Sequence, residues 1–443
     1  MYLLYSLLLV VWGILLLPVV LYKALRYHKY LPGMAQRLGR LPESLRFDGR
    51  TTIWFHACSV GEALSLQPLA QTLHQRFPKA RFVFSTITKT GREIATRQFA
   101  KYGDGNIFYF PVDLSSIGKR VLDWIRPSML VIVDTEIWPN IVHQAHRRSI
   151  PVALVNGRIS AASFRHYRWA RPVLKRVFRN YRIFMMQSEE DARRIEQIGA
   201  PSDKIETTGN IKFDRDLFTA GPAASVTLDL EESLGLRNTD GPLIVAGSTH
   251  PGEEELLLEV LQRLRRIPAL DRTRLLLAPR HPERFDPVSQ LVIRTGFNLR
   301  RRTDSIGQNQ NAEVLLLDSL GELATVYRFA TIVFIGGTLI RHGGHSIMEP
   351  ALYSKAIVVG PSMDNFRQIF EEFHAHGGVR QIRAGDGEKN LQVQQLLEVF
   401  QQLLQNAEER QAAGKAAFAI LEKNRGAAQR TGDKIASIFE EIL

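Results

Sequence analysis

The chain has 443 residues, with 57 Lys and Arg against 45 Asp and Glu, and therefore a formal net charge of +12. Hydrophobic residues make up 45% of it and charged residues 23%, which excludes disordered, collagen-like and repeat-dominated proteins. This length predicts two or three domains. Cys58 is the single cysteine, which excludes an intramolecular disulfide and a cysteine-based zinc site.

The positive charge is confined to the first half of the chain. Residues 1–220 contain 32 Lys and Arg and 17 Asp and Glu, a net +15, whereas residues 221–443 contain 25 and 28, a net −3. A basic surface is suited to nucleic acid, an anionic membrane or an acidic substrate.

The first 22 residues are apolar or uncharged. About 20 such residues span a bilayer as a helix, so the sequence predicts a membrane anchor over residues 1–22. A cleaved signal peptide is the alternative, but no basic residue precedes the apolar run and no small-residue cleavage site follows it. Lys23, Arg26 and Lys29 follow directly and predict that the rest of the chain lies in the cytoplasm.

After this segment, short apolar runs alternate with helical patterns. This alternation predicts parallel sheets covered by helices on both faces. The predicted strands are 53–55, 82–84, 107–110, 130–133, 152–155 and 183–186, followed by 243–246, 275–278, 314–317, 332–335 and 357–359. The predicted helices of the first series are 63–77, 89–102, 115–125, 139–148, 163–180 and 189–198, and residues 388–443 are predicted to be helical throughout.

The stretch from Asn210 to Gly241 breaks the alternation and contains two Gly-Pro pairs. We interpret residues 216–241 as a linker between a domain at 23–215 and a second domain at 242–443 that includes the C-terminal helices. Ligands of such sheets bind at the carboxyl ends of the strands, so a cleft between the two domains is expected.

Two acidic loops follow predicted strands of the first domain. His56–Glu62 reads HACSVGE, and Glu62 there is either a general base or a residue that complements the dipole of the next helix. Asp134–Asn140 reads DTEIWPN, where Asp134 or Thr135 is suited to cap a helix and Glu136 to catalysis. Cys58 beside a strand is more typical of a small core residue than of a nucleophile.

A basic run extends from Arg158 to Arg182, with aromatic and apolar residues interleaved. It is either an ordinary solvated helix face or a surface attracted to anionic headgroups, worth about 1 kcal/mol per charge. No RNA- or DNA-binding signature accompanies it, so nucleic acid is the weaker interpretation.

The second half contains Gly-rich turns that lead into helix starts, such as Gly343–Ala351, and these expose backbone N–H groups to a phosphate. Neither a GxGxxG nor a GxxxxGK(S/T) motif is present. The histidines of this half lack metal-ligand spacing, and we expect them to be hydrogen-bonding groups.

Eight motifs occur in one order over most of the chain. They are HACSVGE, DTEIWPN, NGRIS (156–160), TGNIKFD (208–214), AGSTHPGEEE, PRHPERF, DSLGEL and GGHSIMEPA. With the apolar N-terminus, they resemble the 3-deoxy-D-manno-octulosonic acid (Kdo) transferases of lipopolysaccharide synthesis over residues 1–425. The resemblance implies an α/β fold of the GT-B glycosyltransferase type, with two Rossmann-like domains facing a cleft after an N-terminal transmembrane helix. It also implies inverting transfer of Kdo from CMP-Kdo to a lipid A precursor (lipid IVA) at the cytoplasmic face of the inner membrane.

The resemblance also implies roles for individual residues. Glu62 corresponds to the proton acceptor, and Glu136 and Lys212 correspond to transition-state stabilisers. The positions that correspond to CMP contacts are Pro279, Arg280, Leu320, Gly321, Glu322, Ser346, Ile347, Met348 and Glu349. Ser346-Ile347 stands where the family often has Asn-Pro, a departure at two of these positions.

The resemblance implies no metal and no cofactor, because CMP leaves as a stable monophosphate. The expected partners are CMP-Kdo, the lipid A precursor and the inner membrane, and not nucleic acid. Two alternatives remain: another membrane-associated GT-B enzyme that uses a nucleoside-diphosphate sugar, and a non-catalytic basic membrane-surface protein. The number of Kdo residues added, the acceptor's acyl and phosphate pattern, the oligomeric state and the extent of domain closure do not follow from the sequence.

Overall fold

The computed structural model describes residues 1–27, 33–103, 105–214, 224–236, 241–305, 311–385 and 387–442. The chain divides into two compact units. The first unit comprises Met1–Asp216 and Asn424–Leu443, and the second comprises Leu217–Lys423.

The first unit is built on a parallel sheet with strands in the order β3-β2-β1-β4-β5-β6-β7. Its strands are β1 (Thr52–His56), β2 (Arg81–Thr86), β3 (Ile107–Tyr109), β4 (Met129–Val133), β5 (Val152–Gly157), β6 (Ile183–Met186) and β7 (Ile205–Thr207). Its helices are α1 (Tyr2–Tyr27), α2 (Met34–Arg37), α3 (Val60–Arg76), α4 (Lys89–Phe99), α5 (Ser115–Ile125), α6 (Pro139–His146), α7 (Ala161–Trp169), α8 (Arg171–Phe178) and α9 (Glu189–Gln197).

Both faces of this sheet are buried, because helices cover them. Every residue of β1 is buried, and its side chains alternate between two cores: Trp54 belongs to one, and Ile53 and Phe55 belong to the other. A strand buried on both faces reads as a continuous apolar run, which explains why these strands were recognisable in the sequence. β1 and β4 are neighbours at the point where the strand order reverses, where ligands bind in such sheets.

The second unit has a second parallel sheet in the order β10-β11-β9-β8-β12-β13-β14. Its strands are β8 (Leu243–Thr249), β9 (Arg274–Pro279), β10 (Leu299–Arg301), β11 (Val314–Leu316), β12 (Ile332–Ile335), β13 (Ala356–Val359) and β14 (Arg380–Gln381). Its helices are α10 (Ala224–Ser233), α11 (Glu253–Leu264), α12 (Phe285–Arg294), α13 (Leu323–Val326), α14 (Met348–Ala351), α15 (Arg367–Ala375) and α16 (Lys389–Gln405), followed by α17 (Ala407–Asn424) and, in the first unit, α18 (Ala427–Glu440).

The sequence did not predict three strands, β7, β10 and β14, and all three are short strands at sheet edges. Each has only two or three residues, and β7 and β14 are not buried. A short strand with one exposed side has no apolar run to reveal it. The predicted helix 163–180 is two helices, α7 and α8, because Pro172 begins a new helical turn.

The last helix packs with the first unit, although the predicted boundaries placed residues 242–443 together. Ile435 and Phe439 of α18 join the core beneath α3. The carboxylate of Asp214 accepts hydrogen bonds from the backbone N–H groups of Gly426 (2.8 Å) and Ala428 (2.6 Å), at the start of α18. A carboxylate at a helix N-terminus satisfies N–H groups that have no partner within the helix.

Candidate active site and nucleotide-binding residues

Glu62 lies in the first turn of α3, directly after the loop that follows β1. Its carboxylate accepts hydrogen bonds from the Cys58 backbone N–H (2.6 Å) and the Ser59 hydroxyl (2.7 Å), and the Ser59 side chain caps the helix. This is a capping-box arrangement, so Glu62 does stabilise the helix start. The same contacts hold the carboxylate in one place.

The electrostatic surroundings of Glu62 favour its neutral form. Burial, and then the negative charges of Asp134 and Glu136, raise the pKa of Glu62 to about 7, against the hydrogen bonds from Ser59 and Cys58. A carboxyl group with a pKa near the working pH is suited to accept a proton, and such shifts concentrate at functional sites.

Asp134 follows β4, the neighbour of β1, and is held by two polar side chains. Its carboxylate accepts hydrogen bonds from Lys212 Nζ (3.0 Å) and Asn156 Nδ2 (2.5 Å). Asp134 and Asn156 both adopt left-handed backbone conformations, with φ of 58° for each. Asp and Asn tolerate this conformation better than most residues, and neither residue caps a helix here.

Lys212 lies in a 3₁₀ turn, Ile211–Asp214, that follows β7. The turn is attached to the sheet, since the Ile211 N–H donates to Asn156 Oδ1 (3.0 Å) and the Lys212 N–H donates to Asn210 Oδ1 (3.0 Å). The Lys212 and Asp134 side chains are only 16% and 18% exposed. The cation is therefore oriented by a partly buried ion pair.

Cys58 and Glu136 complete the cluster. Burial, followed by the charge of Asp134, raises the pKa of Glu136, and a hydrogen bond with Cys58 opposes that rise. Burial and the neighbouring carboxylates Glu136 and Glu62 raise the pKa of the Cys58 thiol far above its usual value. The thiol therefore stays protonated, which is unfavourable for a nucleophile. Burial lowers the pKa of His56 to about 3, so this histidine stays neutral.

The structure thus brings together side chains from the loops that follow β1 and β4, from the end of β5 and from the turn that follows β7. Glu62, Glu136 and Lys212, all three predicted from the sequence, lie in this cluster. Asp134 was predicted as one of two acids at a strand end or as a helix cap, and Asn156 only as part of a motif. The available signal for both was an Asp or Asn directly at a strand end, where left-handed residues are common.

The nine residues predicted to contact CMP lie at or after the carboxyl ends of strands in the second unit. Pro279 ends β9 and Arg280 is exposed directly after it, whereas Leu320 and Gly321 are exposed in the loop after β11. Ile347 is fully buried, so only its backbone is available to a ligand, and Met348 and Glu349 begin α14. The Ser346 hydroxyl accepts a hydrogen bond from the Met348 N–H at 3.4 Å.

Glu322 is paired within its own unit. Arg302 donates to both carboxylate oxygens of Glu322, at 3.0 and 3.1 Å, and also pairs with Asp229. Ser319 donates its hydroxyl to Glu322 as well. The bidentate contact fixes the position of the Glu322 carboxylate.

Three histidines of the second unit converge, which their spacing in the sequence did not indicate, and two of them form the expected hydrogen-bonding contact. His250, His342 and His345 each offer a ring nitrogen, and these atoms lie within 4.8 Å of one another. His250 and His345 are 95 residues apart in the chain, yet their Nε2 atoms lie 2.9 Å apart. Local spacing did not reveal the group, because β8 and β12 become neighbours only in the folded sheet.

One buried carboxylate holds the two histidine loops together. Glu253 accepts hydrogen bonds from the backbone N–H groups of His250 (3.0 Å), Gly337 (2.7 Å), Thr338 (3.0 Å) and Leu339 (3.0 Å). Burial, opposed by these bonds, raises the pKa of Glu253 to about 7. Gly337 lies beneath the rings: a Cβ there would be 3.2 Å from His345 Cδ2 and 3.3 Å from His342 Cδ2.

The first turns of α1 contact the first unit. Tyr2 accepts a hydrogen bond from Asn180 Nδ2 (2.7 Å) and stacks on His143 at 3.8 Å between ring centroids, and Ser6 accepts one from Asn140 Nδ2 (3.0 Å). The opposite side of these turns is apolar and exposed, including Leu3, Leu4, Leu7, Leu8, Trp12, Ile14 and Leu15. Within the residues that the structure describes, no helix combines the length and the apolar character that crossing a bilayer requires.

The basic run forms an exposed surface on α7 and α8. Trp169 is 91% exposed between them, and Val173 is 48% exposed. Their exposed cations are Arg165, Arg168, Arg171, Lys175, Arg176 and Arg179. We call these residues with Trp169 the basic surface.

Comparison with known proteins identifies the family of this chain. Residues 32–215 match the family model described as 3-deoxy-D-manno-octulosonic-acid transferase (kdotransferase). A 3-deoxy-D-manno-octulosonic acid transferase of Haemophilus influenzae is 33% identical, over 90% of this chain and 92% of the relative. Another, from Bordetella pertussis, is 31% identical over 86% of each chain.

Among solved structures, UDP-GlcNAc 2-epimerase from Neisseria meningitidis has a TM-score of 0.50 at 14% identity, covering 87% of this chain and all of that one. The C-terminal CMP-Kdo binding domain of WaaA from Acinetobacter baumannii has a TM-score of 0.39 at 28% identity, covering 45% of this chain and 97% of that one. The two seven-stranded parallel sheets and the likeness to the epimerase indicate a GT-B-like fold, and the similarity to the Haemophilus influenzae transferase defines an enzyme of the glycosyltransferase class. The chain belongs to the Kdo transferase family.

Proposed function

We propose that this enzyme transfers Kdo from CMP-Kdo to a lipid A precursor, lipid IVA, with inversion at the anomeric carbon. Glu62 accepts the proton of an acceptor hydroxyl, the acceptor oxygen bonds to the anomeric carbon, and the bond from that carbon to the phosphate of CMP breaks. The observation that carries the proposal is the position of Glu62: a partly buried carboxylate after β1, with a pKa of about 7.

Lys212 and Glu136 serve the transition state in this proposal. The Lys212 ammonium offsets negative charge as the phosphate leaves, and a preoriented cation is effective in a site of low dielectric. The Glu136 carboxylate supports positive charge on the sugar ring. Their contacts with Asp134 and Cys58 support this assignment, since they restrict both side chains.

The second unit binds the CMP moiety in this proposal. Backbone N–H groups of Ser346–Glu349, at the start of α14, and the Arg280 guanidinium, directly after β9, are suited to the phosphate because both attract anions. Glu322 and Glu349 are suited to accept hydrogen bonds from ribose hydroxyls or the base. The transfer needs no metal and no cofactor, because CMP is already a stable leaving group.

The proposed place of action is the cytoplasmic face of the inner membrane, to which residues 1–22 attach the chain. The exposed leucines of α1 and the basic surface support attachment, since they combine apolar area with positive charge. A single-pass anchor requires that Tyr2 and Ser6 release Asn180 and Asn140, whereas attachment by a helix lying in the interface keeps these contacts. Cysteine labelling from the periplasmic side at position 3 separates the two modes.

The Glu62→Gln variant tests the catalytic assignment. Gln keeps an acceptor oxygen for the helix cap but takes up no proton, so we expect transfer from CMP-Kdo to fall by at least about 100-fold, with CMP affinity unchanged. The matched control is Asp191→Asn, because Asp191 forms a similar cap with Ser188 on α9. Near-normal turnover of Glu62→Gln contradicts the proposal, as does an equal loss in the control.

Mass spectrometry of the product of CMP-Kdo and lipid IVA tests the substrates and counts the Kdo residues added. A product formed from a UDP-sugar, and none from CMP-Kdo, contradicts the proposed donor. Product formed only on a different lipid contradicts the proposed acceptor.

A further inference from the structure

The three converging histidines lie at the switch point of the second sheet. His250 follows β8, and His342 and His345 follow β12, and these two strands are neighbours in the sheet. Side chains at such a point face the region where doubly wound sheets bind ligands. The ring centroids of His250 and His342 are 3.9 Å apart, and those of His250 and His345 are 5.2 Å apart.

We propose that His250, His342 and His345 form a binding site for one divalent transition-metal ion of borderline softness, such as Zn²⁺, Co²⁺ or Ni²⁺. Three imidazoles are a common ligand set for such ions. Ligand nitrogens of a tetrahedral ion at about 2.1 Å lie about 3.4 Å from one another. The Nε2 atoms of His250 and His345 lie 2.9 Å apart, and the ligand nitrogens of all three residues lie within 4.8 Å of one another, so their separations are of the size that one shared ion requires.

The scaffold around the histidines holds them in place. Glu253 ties the backbone of His250 to the loop that carries the other two, through four N–H bonds. Asn365 donates its side-chain N–H to the His342 carbonyl (3.0 Å), and the Gly343 N–H donates to Ser362 Oγ (3.0 Å). A site whose ligands are positioned before binding loses less entropy when the ion arrives.

The state and the exposure of the rings are compatible with metal binding. An imidazole must be neutral to bind a metal, and the neutral form of an ordinary histidine predominates above about pH 7. His250 is buried, His345 is partly buried and His342 is exposed. The exposed side leaves a coordination position for water, as in sites that stay open to a further ligand.

The alternative is a hydrogen bond between His250 and His345, in which one Nε2 carries the proton and the other accepts it. A metal ion replaces this bond, because coordination needs both Nε2 lone pairs and therefore moves the protons to Nδ1. The two states differ in one measurable property, the uptake of one equivalent of metal. The inference does not depend on the proposed transfer reaction.

The test is titration of the full-length chain, without a polyhistidine tag and in detergent, with Co²⁺ alone after treatment with a chelator. We expect visible absorption that saturates at one equivalent and disappears when Zn²⁺ is added. His342→Ala, which removes an exposed ligand, should weaken affinity by at least roughly tenfold, since even an outer-shell change costs about 10–100-fold. His345→Gln should do the same.

The matched control is His376→Ala, an exposed histidine of the second unit that bonds the Glu372 carbonyl and lies outside the group. It should keep wild-type affinity, and circular dichroism should show that all variants are folded. Absence of saturable uptake overturns the proposal. So does unchanged affinity in His342→Ala and His345→Gln, or an equal loss of affinity in the control.

Discussion

The Asp134 carboxylate and the Lys212 ammonium lie 3.0 Å apart, although 78 residues separate them in the chain. The pair joins the loop after β4 to the 3₁₀ turn after β7, and both side chains are largely shielded from water. Because the charge of Asp134 also raises the pKa of Glu62, this ion pair links the proposed cation of the site to its proposed base.

Replacing Asp134 should move the pH dependence of transfer. Asp134→Asn removes a negative charge that raises the pKa of Glu62, and it leaves Lys212 positive, so the pKa of Glu62 falls. The base is active when ionised, so the acid limb of kcat/KM should move from about pH 7 to lower pH. A pH–rate profile measures this, and an acid limb that stays in place or moves upward contradicts the link.

Removing the cation should have the opposite effect on that limb and a larger effect on rate. Lys212→Met leaves Asp134 unpaired, which raises the pKa of Glu62 further, and it removes charge stabilisation from the transition state. We expect kcat to fall on the order of 100-fold at the optimum. Lys119→Met, which removes an exposed cation of the same unit outside the basic surface, is the control and should retain kcat.

Glu253 should contribute more to stability than any exposed glutamate on the same helix. Glu253→Gln weakens four hydrogen bonds to buried backbone N–H groups, and we expect the free energy of unfolding to fall on the order of 3 kcal/mol. Glu255→Gln changes an exposed neighbour on α11 and should change the free energy of unfolding by less than about 0.5 kcal/mol. Urea denaturation measures both, and equal effects contradict the role of Glu253.

The basic surface should determine binding to anionic vesicles. Reversing Arg168, Arg171 and Lys175 to Glu removes about 1 kcal/mol of attraction per charge, so affinity for vesicles containing phosphatidylglycerol should fall on the order of 100-fold at low salt. Reversal of Arg294, Lys389 and Lys415, exposed cations of the second unit, is the control. A co-sedimentation assay in which both triple variants bind alike contradicts the assignment.

Most of the fold was predictable, because strands buried on both faces leave continuous apolar runs. β4 and β12 were visible as such runs, and the alternation with helices indicated parallel sheets. β14 was not visible, because two partly exposed residues at a sheet edge carry no pattern. The packing of α18 against the first unit was also not predictable. The sequence of an amphipathic helix shows which side is apolar, but not which core that side will join.

The candidate site was predictable in part. Glu62 and Glu136 were candidates because each follows a predicted strand, and Lys212 was a candidate because it lies in the TGNIKFD motif. Asp134, whose charge raises the pKa of Glu62 and Glu136, and Asn156, which donates to Asp134, depend on contacts between distant segments and were assigned no such role. The histidine group was not predictable for the same reason. Its members are up to 95 residues apart in the chain and come together only because β8 and β12 are neighbours in the sheet.

By itself, the sequence determined the α/β class, the alternating elements, the charge asymmetry and the family. Each of these depends only on local residue patterns or on the order of motifs along the chain. Only the tertiary structure decided which side chains meet: the Asp134–Lys212 pair, the carboxylates that raise the pKa of Glu62, and the converging histidines. The physical reason is that electrostatic and coordination chemistry depend on distances of a few ångströms between residues far apart in the chain. Those distances exist only once the strands are ordered in their sheets.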